Sequence, residues 1–70
     1  MADASAAGIE AIRQALRSAG GAIFRVEAAS EGGAPLALIH VFGAYDCKGT
    51  EAEVTGLLKD SALPWRLVWH

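Results

Sequence analysis

The chain has a single cysteine, Cys47, so no intramolecular disulfide can staple it. It has no apolar run near the roughly 18 residues that a membrane-spanning helix needs, and no membrane partner is expected. Its first residues, Met-Ala-Asp-Ala-Ser, show neither the basic n-region nor the apolar h-region of a secretory signal. The expected location is cytoplasmic. Basic residues are few and scattered: six Lys and Arg against eight Asp and Glu give a formal net charge of −2. Binding to a phosphate backbone needs a basic patch, so nucleic acid is excluded as an expected partner. The carboxylates sit singly and alternate with Arg and Lys, which also excludes the continuous acidic surface of a nucleic-acid mimic.

What is present fits one small domain over residues 1–70, near the lower size at which an unaided core holds a chain together. At that size an oligomer or a partner supplies cover that the chain's own elements lack. The hydrophobic fraction of 53% leans on alanine, so core volume must come from Ile, Leu, Val, Phe and Trp.

Ile9, Ile12 and Leu16 fall on one helical face, with Glu10, Arg13, Gln14 and Arg17 opposite; Asp3 or Ser5 can cap the start and Gly20-Gly21 the end. Gly8 weakens the first turns, so order is expected from about residue 8 and fraying over residues 1–7. Ala22 to Ala29 alternates as a strand does, with Phe24 and Val26 on one side and Ile23, Arg25 and Glu27 on the other. Ser30-Glu31-Gly32-Gly33 is a hairpin turn signal. The stretch Pro35 to Ala44 is then too continuously apolar for a strand with one wet face, and reads as a strand covered on both. Thr50 with Glu53 matches a capping box that starts a second helix at about residue 51, its apolar positions being Val54, Leu57 and Leu58. Pro64 ends it, and Trp65 to Trp69 alternates as a third strand, with both tryptophans and Leu67 on the core side.

The expected fold is α+β in the order αββαβ, a three-stranded sheet with both helices on one face. A right-handed crossover makes the third strand parallel to the second, in spatial order 1-2-3; the alternative, 2-1-3, sets it antiparallel to the first. Hairpin pairing of Phe24 with Ile39, Val26 with Ala37 and Ala22 with Val41 builds the helix-facing side. The other side then carries Ile23, Arg25, Leu36, Leu38, His40 and Phe42 with no helix to cover it. Each buried Leu, Ile or Phe is worth roughly 1.5 to 3 kcal/mol, so these six residues are the expected protein-binding site.

Chemistry offers less. Cys47 stands before a helix start at the end of a strand, where a thiolate is favoured, but it has no sequence-visible base or second cysteine. Lys48-Gly49-Thr50 lacks the glycine spacing of a phosphate loop. His40, His70 and Cys47 have no diagnostic metal-ligand spacing, and the carboxylates Glu51, Glu53 and Asp60 are solvated helix residues. The expectation is therefore no enzyme, cofactor or metal. It is a non-enzymatic interaction module: a small modulator or inhibitor of a larger protein, of the kind phages and mobile elements carry, or a homodimeric accessory protein. The alternatives are a minimal enzyme or thiol carrier built on Cys47, and a small-ligand or metal-binding domain using His40.

Overall fold

A computed structural model describes residues 4–20 and 22–70, with side chains of the first helix described from residue 6. Helix α1 (Ala4–Leu16) is followed by strands β1 (Ile23–Glu31) and β2 (Ala34–Phe42), helix α2 (Cys47–Leu57) and strand β3 (Trp65–Trp69). The sheet has the order β1-β2-β3, with β1 and β2 antiparallel and β2 and β3 parallel. This is the α+β fold expected, and the order 2-1-3 is excluded.

Gly32 and Gly33 make the hairpin turn, at φ 59° and 84°. Two successive positive φ angles are what a two-residue type I′ loop demands, and glycine takes them without steric cost. The loop sets the register, pairing Phe24 with Val41, Val26 with Ile39 and Ala28 with Ala37. Relative to the pairing expected from sequence, β2 has slid by two residues. Because side chains alternate with a period of two, that slip leaves every residue on its expected face.

The core lies between the sheet and the helices. Ile9, Ile12 and Leu16 of α1, Val54 of α2 and the following Leu58 form one buried cluster with Val26, Ala37, Ile39 and Val41 of the sheet and Leu63 of the last loop. Ala37 and Ile39 are fully inaccessible, so β2 lies at the centre of this core, while α1 packs mainly along β1. Gly8 does not delay the helix: α1 already includes residues 4–7, and a Cβ on Gly8 would meet Leu63 at 3.1 Å. The missing side chain is what lets the Leu63 loop close on α1. Leu16 ends α1 through three tightened bonds, the N–H groups of Arg17, Ser18 and Ala19 donating to the carbonyls three residues back. The expected cap Asp3, the Ser5 side chain and Gly21 lie outside the described residues.

Helix α2 begins four residues earlier than the Thr50–Glu53 pattern implies. Asp46 is its N-cap, in extended backbone, and its carboxylate accepts from the N–H of Gly49. The Thr50 N–H already donates to the Asp46 carbonyl at 2.9 Å, and Thr50 is buried in the first turn. A carboxylate at the N-cap satisfies an orphan amide and complements the helix dipole, which lets Asp46 outcompete a hydroxyl further along. Gly49 is required there too, since a Cβ would lie 2.5 Å from Asp46 Oδ2. Two side chains also differ from expectation. Leu57 is 38% exposed and Trp69 39%, while Trp65 and Leu67 do pack on the core.

Asp46→Ala is expected to lower stability by about 1 kcal/mol in a denaturant titration, and Glu53→Gln to leave the midpoint unchanged. The reverse pattern would restore the cap to Thr50.

Candidate functional site

Alternation along three paired strands gives the sheet a second face on which neither described helix packs. The register sets Ile23 beside Phe42, Arg25 beside His40, Glu27 beside Leu38 and Ala29 beside Leu36. In the parallel pair Arg66 stands beside Leu38 and Val68 beside His40. All six residues expected at a binding site, Ile23, Arg25, Leu36, Leu38, His40 and Phe42, therefore share this face. Ile23 is 71% exposed and Phe42 37%. Leu36, Leu38, His40 and Val68 are half-buried, sheltered by one another and by lateral neighbours. Arg66 donates to Glu31 at 2.7 Å, a bridge that reaches from β3 to β1 across the intervening β2. Solvent-exposed ion pairs of this type contribute little, but the arginine stem adds cover over the leucines.

At one end of the face the chain brings together two histidines that lie 30 residues apart. His70 extends the ladder beyond β3, its N–H donating to the Val41 carbonyl at 3.0 Å, and its ring lands beside Phe42. The two rings stack, 4.4 Å between centroids and 12° between planes. His70 Nε2 lies 2.8 Å from His40 Nδ1. On the other side of His40, Nε2 faces Glu27 Oε1 at 3.7 Å. A carboxylate at that edge favours the proton on Nε2, which leaves the Nδ1 lone pair to accept from His70 Nε2–H.

This pairing was not legible from the spacing of the two histidines along the chain. The usable signal was the parallel register: once β3 runs alongside β2, His70 stands next to Phe42 and diagonal to His40. Cys47 does not join them, and among the described residues no group of three His, Cys, Asp or Glu is placed to hold a metal ion. The Cys47 thiol is exposed at the first turn of α2, directly after Asp46. In that turn the Gly49 N–H is bound to the Asp46 carboxylate.

The most exposed large apolar side chains are also at this end. Ile23 opens β1, Phe42 and Trp69 close β2 and β3, and Tyr45, 99% exposed, lies in the loop that leaves β2. Tyr45 and Trp69 were missed because aromatic residues near strand ends read equally well as core. An open apolar groove of about 680 Å3 lies elsewhere, between the helices, with Ala11, Ala15, Leu57 and Leu63 among its lining. No described helix is long and apolar enough to cross a membrane.

No protein-family model, curated protein or solved structure matches the chain.

His40 is expected as the Nε2–H tautomer, and long-range proton–nitrogen NMR correlations report it directly. A neutral His40 protonated at Nδ1 would mean that His70 is the acceptor and that Glu27 does not orient the ring.

Proposed function

We propose that this α+β domain is a non-enzymatic interaction module that binds protein through the open sheet face, either a second copy of itself or a larger protein that it modulates or inhibits. The observation that carries the reading is the disposition of β2. Ala37, Ile39 and Val41 are sealed under the helices, while Leu36, Leu38 and Phe42 on its other side have no described element above them. Apolar side chains gathered on one uncovered sheet face, with Phe42 at its end, are what protein-binding surfaces are made of.

The thiol reading has less behind it. Cys47 has a carboxylate as its immediate neighbour and no metal-ligating group of three around it among the described residues.

Leu38→Glu is expected to keep the fold, seen as an unchanged circular dichroism spectrum, and to weaken self-association or capture of a host protein at least ten-fold. A carboxylate there would have to be desolvated inside the contact. Ile39→Glu, one residue along and fully buried, is expected to unfold the domain. Association of the Leu38→Glu chain at wild-type strength would remove the open face as the working surface.

A further inference from the structure

We propose that His40 and His70 are one half of a divalent transition-metal site, and that a second copy of the chain, docked face to face, supplies the other half. The inference rests on the open-face reading and names the partner as a second copy joined through zinc or a similar ion.

The donors are already gathered. Two imidazole nitrogens from different strands lie 2.8 Å apart, and ligands at about 2.0 to 2.1 Å from a tetrahedral zinc are roughly 3.3 Å from each other. Opening the pair by about 0.5 Å and turning both lone pairs towards one point admits the ion. Glu27, 3.7 Å from His40 Nε2, stands where ligand histidines commonly have a carboxylate behind them, and closing that gap would keep the proton on the outer nitrogen and leave Nδ1 free to bind. The Phe42 ring braces His70 in the same way by stacking. When the ion binds, the proton on His70 Nε2 moves through water to its Nδ1, so both ligands stay neutral imidazoles and no net proton is released.

The site is incomplete in one chain. Two nitrogens are half of a closed tetrahedral set, and among the described residues no third His, Cys, Asp or Glu joins them. The sheet face explains where the others come from. Facing sheets pack about 10 Å apart, so imidazoles projecting from each meet near the midplane. The charges of the face suit a copy of itself: Arg25 and Arg66 are balanced by Glu27 and Glu31, and one of those pairs is already made within the chain. Size then says why an ion is needed. Three strands about 4.8 Å apart and nine residues rising about 3.3 Å each give a footprint of roughly 400 Å2, about half of the roughly 800 Å2 that each partner gives to a standard interface. An apolar contact that small holds weakly, and an ion bound by four imidazole nitrogens at the end that carries Ile23 and Phe42 would lock it.

Light scattering coupled to size exclusion, with zinc titrated into the chelator-treated chain, tests this. The expected result is a monomer in chelator and a dimer with zinc, the transition saturating at one ion per two chains. His40→Ala and His70→Ala should each weaken zinc uptake at least ten-fold and stay monomeric, whereas Cys47→Ser should behave as wild type. Zinc bound at one ion per chain without a change in mass, a response unaltered by both histidine variants, one lost only in Cys47→Ser, or no zinc uptake would each overturn the proposal. A chain that is dimeric in chelator and becomes monomeric with Leu38→Glu would also overturn it, while leaving the open face standing as the contact surface.

Discussion

The constraint on which the rest of the structure depends is that β2 is apolar on both faces and the chain has helices for one. Ala37, Ile39 and Val41 occupy the side that α1 and α2 seal, and they are nearly inaccessible. Leu36, Leu38 and Phe42 occupy the other. A central strand of an α/β protein with this pattern would have a helix on each side. Here α2, which carries the crossover from β2 to the parallel β3, and α1, which precedes the hairpin, both pack on the same side. The second face is therefore a consequence of topology, and its exposure follows from the order of elements rather than from any one residue.

The same topology decides where functional groups collect. Because β2 and β3 are parallel, they finish at the same end of the sheet, and β1, antiparallel to β2, begins there. Three strand termini and the loop to α2 thus meet in one place. Ile23, Phe42, Tyr45 and Trp69 are exposed there and His70 docks on Phe42, although they come from widely separated parts of the chain. The opposite end is closed by the Gly32-Gly33 turn and bridged by the Arg66–Glu31 pair, a polar and backbone-dominated margin. The open face consequently has a direction, from a charged rim to an aromatic and imidazole-rich end.

Much of the fold was legible because its signals are local. Alternation in Ile23 to Glu27 sets faces, Gly-Gly sets the turn, and Pro64 ends the helical run. Faces survived a two-residue slip of the hairpin because the side-chain period is two, so a wrong pairing still gave the right surface. The cap of α2 was misread for a different reason. Asp46 and Thr50 both stand before helical sequence, and the choice between them rests on Gly49, which leaves room for the carboxylate to reach its amide. The histidine pair is a long-range feature: 30 residues separate its members, and only the β2–β3 register brings His40 Nδ1 within 2.8 Å of His70 Nε2.

Small size sharpens what that register does. A chain of 70 residues has only a few buried side chains to hold its fold, and most of them are committed to the helix side. Groups on the other face are therefore free to be chosen for what they contact. Polar residues there need not be tolerated as core compromises, and His40 illustrates the point: it stands in the middle strand between the buried Ile39 and Val41, yet its ring, on the other face, contacts His70 and faces Glu27. An imidazole bonded to His70 through Nδ1 and facing the Glu27 carboxylate with Nε2, near the end of an apolar strand, has a defined edge to present. Apolar neighbours lower the local dielectric around that edge once a second surface closes over it, so each polar contact made there would count for more than it does in water. The uncovered face thus combines area, which favours contact in general, with one oriented polar group, which favours a particular contact.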